Sequence, residues 1–135
     1  MEIKQFGCKQ NLNYMSHFIT LEKAKQMTSL YRKEKENVLK PEHKDKNILP
    51  IAETFDRVAF DTLLAKKGCT SIRLYYGMDE TFKLHAIIVG ANEQGQDMIA
   101  VSAASGNTLD GGGDEIVEDG RRCPDECPTV SPLFP

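Results

Sequence analysis

The chain predicts an α+β fold: two helices packed on a three-stranded antiparallel meander, with an irregular Gly/Pro-rich C-terminal tail. Three observations point there. Apolar residues recur at helical spacing in two separate stretches before residue 68. From residue 70 the period changes from 3.6 to 2, and alternation continues through two strand-length segments. Beyond Ser102, glycine and proline dominate and neither period survives. At 135 residues the length suits one domain with a core of its own. The expected organisation is a single α+β domain over 1–102, with 1–19 an unassigned lead-in, and an acidic Gly/Pro/Cys tail over 103–135.

The first helix is expected over 20–37. Thr20 is a suitable N-cap, since its hydroxyl can accept from an unpaired N–H of the first turn. Leu21, Ala24, Met27 and Tyr31 follow at helical spacing. Glu22 suits the positive end of the helix dipole, and Pro41 stops any continuation. Pro41 and Pro50 bracket a connection whose Ile48, Leu49 and Ile51 are expected to tuck onto the core. A second helix is expected from Phe55 to Lys67. Thr54 or Asp56 caps it, Lys66 and Lys67 complement its negative end, and Gly68 terminates it.

Thr70 to Tyr76 reads as a strand, Gly77 to Thr81 as a turn, and Phe82 to Val89 as the partner strand. Alternation assigns Ile72, Leu74, Tyr76, Leu84, Ala86 and Ile88 to one buried face. The expected register sets Arg73 opposite His85 and Tyr75 opposite Lys83 on the other face. A third strand is expected from Asp97 to Ser102, and a short fourth at Glu115–Val117.

The start of the chain lacks a basic segment followed by an apolar one, so no secretory signal is read there. The longest apolar runs, such as Ala86–Val89, are too short to span a bilayer. The expectation is a cytoplasmic protein without membrane contact. Its cysteines are then mostly free thiols or metal ligands. Charge is unevenly spread: residues 1–90 carry 15 Lys/Arg against 11 Asp/Glu, and residues 91–135 carry 2 against 9. The basic side chains between residues 22 and 46 are mixed with acidic ones, which reads as a solvated helix face rather than a phosphate-binding stripe. Nucleic acid is therefore not an expected partner.

Three segments are distinctive in their wording: Ile48-Leu49-Pro50-Ile51-Ala52-Glu53-Thr54-Phe55-Asp56, Leu74-Tyr75-Tyr76-Gly77-Met78-Asp79-Glu80, and Arg122-Cys123-Pro124-Asp125-Glu126-Cys127-Pro128. Together they resemble a group of small uncharacterised bacterial proteins ending in a Cys-Pro-x-x-Cys-Pro tail. The resemblance covers most of the chain from residue 20 on, and it brings no activity with it.

Two places invite a functional reading. The outer face of the hairpin carries Arg73, Tyr75, Lys83, His85 and Ile87. The first four suit an anion or a peptide carboxylate. Ile87 and Val89 beside them call for cover, by the acidic tail or by a second subunit. This face is the expected binding surface of a small soluble protein-interaction module, for a protein partner or for self-association. The alternative is a thiol or zinc protein acting through Cys123 and Cys127. Three residues separate that pair, a spacing that lets two thiolates grip one metal. Free thiols, a short disulfide and redox chemistry fit the same pair, and no second close pair completes a four-ligand site. No cofactor other than such a zinc is expected.

The Gly-rich run Asp110–Glu115 lacks the lysine of a phosphate loop and the ligand spacing of an EF-hand, and reads as a flexible loop. Cys69 with His85 is the nearest approach to a nucleophile and base, but Cys69 follows a helix C-terminus, whose field disfavours a thiolate. A binding module is therefore expected rather than an enzyme.

Overall fold

A computed structural model of the chain describes residues 17–100 and 115–135. The Gly-rich run before Glu115 and most of the N-terminal lead-in lie outside the described residues. The chain divides into two compact units, one comprising Met1–Val38 with Pro128–Pro135, the other Leu39–Cys127.

The first unit is built on helix α1, Leu21–Glu34. It begins as the sequence predicts: the Thr20 hydroxyl accepts from the Lys23 backbone N–H at 3.1 Å, which satisfies one of the unpaired donors of the first turn. Arg32 donates to the Leu133 carbonyl, and its guanidinium lies 6.0 Å from the centre of the Phe134 ring. No residue of α1 is buried.

The second unit holds the core. A short 3-10 turn at Pro41–His43 leads to strand β1, Ala52–Thr54, and helix α2, Arg57–Leu64. Gly68, at φ 92, turns the chain into β2, Cys69–Met78. Strand β3, Leu84–Asn92, returns beside it. Two short strands follow, β4 at Ile116–Val117 and β5 at Arg121–Cys123. The fold is α+β, with a three-stranded antiparallel sheet ordered β2-β3-β4 and a separate two-stranded sheet of β1 and β5. Helix α2 packs against β2 and β3. Ile48, Leu63, Ile88, Val89, Ala91 and Cys123 form the buried core.

Three local expectations are corrected. First, the hairpin turn lies at 79–83, two residues later than expected. The Asp79 carboxylate sets it, accepting from the backbone N–H of Thr81 at 2.8 Å and of Lys83 at 3.1 Å, and from the Thr81 hydroxyl at 2.6 Å. These bonds offset the cost of holding Phe82 at φ 70, about 1–2 kcal/mol for a residue with a side chain. The register therefore moves by four residues: Arg73 faces Val89, Tyr75 faces Ile87, and His85 faces Gly77. An even shift preserves the two faces, so the residues that remain in the paired strands keep their expected sides, while Phe82 and Lys83 pass into the turn.

Second, no strand runs through 97–100. The segment makes only an isolated bridge between Ala91 and Asp97, and its last two expected residues lie outside the described ones. The third strand of the sheet is instead β4, the short strand expected as a fourth at Glu115–Val117, within the stretch otherwise read as tail. Its register pairs Ile88 with Val117 and Val89 with Ile116. Strands this short carry too few residues to show a period, and their partners are distant in sequence.

Third, the face expected to be buried is only partly so. Ile88 is buried, and Ile72, Leu84 and Ala86 are half-buried, but Leu74 is 45% and Tyr76 75% exposed. The reason is length. The eight residues of α2 span about 12 Å, whereas the ten of β2 run to roughly 33 Å. Leu63, fully buried near the end of α2, lies close to Gly90. The helix thus covers the Gly90 end of the hairpin and leaves the turn end open. On the opposite face Val89, expected to be surplus to the core, is 1% exposed.

Candidate functional site

The residues expected to form a binding face do share one face of the hairpin, but most of their polar groups are engaged within the chain. Arg73 and the Tyr75 hydroxyl both donate to the Asp97 carboxylate, one to each oxygen. The Tyr75 bond, then the Arg73 bond, hold the Asp97 carboxyl below the usual range, and Asp97 in turn pushes Tyr75 up. His85 stands between two carboxylates, with Nε2 2.8 Å from Asp79 and Nδ1 3.2 Å from Glu118. The Thr81 hydroxyl, then His85, keep Asp79 well below the usual carboxylate range. Lys83 is half-buried and closes the turn through its backbone, its carbonyl accepting from Asp79 N–H at 3.1 Å. Ile87 is half-buried and lies over Gly77, where an added Cβ would meet its Cδ1 at 2.6 Å.

Cys123 and Cys127 are joined as a disulfide. Cys123 is fully buried at the end of β5, and Cys127 is half-buried. A sulfur bonded to sulfur is not the thiolate a metal needs. Among the described residues, no three His, Cys, Asp or Glu side chains converge in a metal-binding group. Cys69 pairs with Asn92, and His85 with Gly77, eight residues along β2. That separation is roughly 27 Å, so the two cannot act together as nucleophile and base.

The groups that organise the site are ones that sequence reasoning did not single out. Arg122, on β5, donates to Glu53 at 3.2 Å, to the Asn47 carbonyl at 3.2 Å and to the Leu84 carbonyl. The other oxygen of Glu53 accepts from the Ala86 backbone N–H at 3.2 Å. Leu84 N–H reaches the Ile48 carbonyl at 2.8 Å. The outer edge of β3 is thereby engaged at both ends, by Ile48, Glu53 and Arg122 at Leu84 and Ala86 and by β4 at Ile88 and Val89. The only sequence signal for this arrangement is one acidic residue among apolar ones at Glu53 and a basic pair just before a cysteine, and nothing local joins the two.

No family model, no curated protein and no solved structure matches this chain.

The outer edge of β2 differs from that of β3. Leu84 and Ala86 direct their N–H groups away from β2, toward Ile48 and Glu53. In the observed register each even-numbered residue of β2 faces an even-numbered residue of β3: Leu74 with Ile88, Tyr76 with Ala86, Met78 with Leu84. These are non-hydrogen-bonded pairs. The N–H and C=O groups of Ile72, Leu74 and Tyr76 therefore point out of the sheet edge. Among the described residues no strand pairs with that edge. Beside it lies an open, largely apolar groove of about 260 Å³, lined by Pro50, Ala52, Phe55, Leu74, Tyr76, Leu84 and Ala86 together with Glu53. Phe55 forms a wall by lying flat against Gly120, where an added Cβ would sit 2.6 Å from the ring. Leu74, Tyr76, Met78 and Phe82 are all exposed on this side of the hairpin or at its turn. The arrangement can offer backbone donors and acceptors in a row, with apolar surface next to them.

Among the described residues, no helix is long and apolar enough to cross a membrane.

Proposed function

We propose that this chain is a small binding module. It takes an extended segment of another polypeptide as an added strand on the edge of β2, with the side chains of that segment packing along the Leu74 and Tyr76 rim of the groove. The observation that carries this reading is the contrast between the two outer edges of the hairpin. On the β3 edge Leu84 N–H and C=O, Ala86 N–H and Gly90 C=O have partners and Ile88 pairs with Val117, while the β2 edge presents Ile72, Leu74 and Tyr76 with their backbone groups outward. Strand addition of this kind draws affinity from main-chain bonds and specificity from pockets for alternate side chains. The opposite face, with Arg73, Tyr75 and His85, is less available, because Asp97, Asp79 and Glu118 already hold its polar groups.

The test is selection from a random peptide library displayed on phage, using the full chain as bait. The expected result is enrichment of sequences with apolar residues at every second position. Their binding is lost in Leu74→Pro, which removes an outward N–H from an edge strand without breaking a bond to β3. Enrichment that Leu74→Pro leaves intact would refute the reading.

The thiol or zinc reading is the weaker one, since the two sulfurs of Cys123 and Cys127 bond to each other. A bacterial origin rests on the resemblance of the Cys-Pro-x-x-Cys-Pro tail alone. A cytoplasmic location sits uneasily beside that cross-link, because disulfides persist mainly in oxidising compartments. A thiol count on cells lysed directly into an alkylating agent decides the matter: a reducing home leaves Cys123 and Cys127 both labelled.

A further inference from the structure

We infer that the strand received by the β2 edge is β2 of a second copy of this chain, so that the protein forms a symmetric dimer through one continuous six-stranded sheet. The inference rests on the binding-module reading and narrows its occupant. Antiparallel pairing about a two-fold axis requires an edge that complements itself. With Leu74 on the axis, Leu74 meets Leu74 of the second copy, and Ile72 meets Tyr76 of the second copy on either side. These three pairs use the residues whose N–H and C=O groups point outward, and each pair of this type exchanges two backbone bonds.

The side chains agree with that register. On the groove side Ile72, Leu74 and Tyr76 form an apolar row across the junction, and burying it covers residues that are now exposed at 45% for Leu74 and 75% for Tyr76. On the other side Arg73 faces Tyr75 of the second copy, a favourable cation and aromatic pair. Moving the axis one residue to Arg73 would set two guanidinium groups directly opposite one another, which is unfavourable. The edge also lacks what usually keeps exposed strands apart. It is ten residues long, with Arg73 its only charged residue and no proline, and its one register irregularity lies at Cys69–Ser71, outside the Ile72–Tyr76 stretch that would pair. An isologous contact closes on itself and leaves no further free edge of β2.

Sedimentation of the full chain across a concentration series tests this. The expected result is a dimer for the wild type and a monomer for Leu74→Pro with an unchanged circular dichroism spectrum. Should Leu74→Pro fail to fold, hydrogen exchange on the wild type replaces it. The amides of Ile72, Leu74 and Tyr76 are then expected to slow at least tenfold between dilute and concentrated protein, with no such change at Leu84 or Ala86. A monomeric wild type overturns self-pairing. So does a dimer that Leu74→Pro leaves unaffected, or one whose Ile72, Leu74 and Tyr76 amides exchange at a rate independent of concentration. Peptide selection in the presence of a monomeric wild type still supports strand capture, so the two failures are distinguishable.

Discussion

Arg121 and Arg122 are neighbours in sequence, and they are expected to differ sharply in what they contribute to stability. Arg122 is enclosed, with its side chain 13% exposed and that of its partner Glu53 10% exposed. It also holds the carbonyls of Asn47 and Leu84. Replacing it with Met keeps much of the aliphatic volume but leaves a carboxylate in a nearly closed site. Removing one member of a buried pair costs about 3–5 kcal/mol. Because Glu53 keeps its bond from Ala86 N–H, the lower end applies, at about 3 kcal/mol. Arg121 bonds Asp56 and Glu126, but it is 40% exposed and they are 69% and 60% exposed. Arg121→Met is therefore expected to cost at most about 1 kcal/mol. Urea unfolding of the two variants, compared at equal slope, gives the difference directly. The double replacement Glu53→Leu with Arg122→Met is expected to recover part of the loss, since no buried charge is then left alone. If Arg122→Met falls within about 0.5 kcal/mol of Arg121→Met, the bonds of Arg122 to Glu53, Asn47 and Leu84 do not hold the two sheets together and the account of the β3 edge fails.

Other outcomes follow from the same structure. Leu63→Ala, at a fully buried site, is expected to cost about 2–5 kcal/mol. Leu84→Ala, on the wall of an open groove, is expected to cost less, about 1–2 kcal/mol, because water can enter the space it leaves; denaturant melts rank the two. Opening the disulfide with Cys127→Ala is expected to lower stability by about 2 kcal/mol, the loop entropy of a short closure, as read by thermal melting with and without reductant. Gly120→Ala pushes the Phe55 ring aside and is expected to cost about 1–3 kcal/mol, with a change in near-ultraviolet dichroism as the aromatic moves. Asp79 has its carboxyl held low by Thr81 and then His85. Its contribution is therefore present above the usual carboxylate range and lost as the pH falls through and below it. The stability gap between wild type and Asp79→Asn is expected to be wide at neutral pH and to close in acid; a gap that widens in acid refutes the assignment.

Much of the fold was legible in the residues, and the reasons are local. Thr20 announces its helix because capping is a short-range bond. The change of period at residue 70 announces the hairpin, and the two faces survive because parity is insensitive to an even slip. The turn was not placed correctly, because Gly77 looked like the start of a turn. In fact Gly77 belongs to β2, where Ile87 occupies the space its side chain would need. The second sheet was not legible at all. Three residues of β1 meet three of β5 some seventy positions away, too few to carry a pattern. The candidate site fared similarly. Arg73, Tyr75, His85 and Ile87 do lie together, but the carboxylates that occupy them come from the turns around Asp79 and Asp97 and from Glu118. Alternation along a strand says which side a residue faces and nothing about what arrives from elsewhere.

The exposed apolar row on β2 has a cause in the same mismatch of lengths. A ten-residue hairpin needs cover along its whole face, and α2 supplies about a third of it. The chain closes most of the remaining need on β3 by bringing Glu53, Arg122 and β4 to its outer edge. That closure draws on the segments that precede α2 and follow the sheet, and both approach β3 from its outer side. Among the described residues of this unit, no strand pairs with the outer edge of β2. A strand buried at its neighbour and open at its own edge, with Leu74 and Tyr76 facing water beside it, is the arrangement expected when another strand completes the sheet. If the edge were merely tolerated, charge or proline would be the economical way to protect it, and β2 carries one arginine that Asp97 already engages. Strand addition, as proposed, would give the open edge and the apolar row one explanation in common, and Leu74→Pro separates it from the alternative in which they are unrelated.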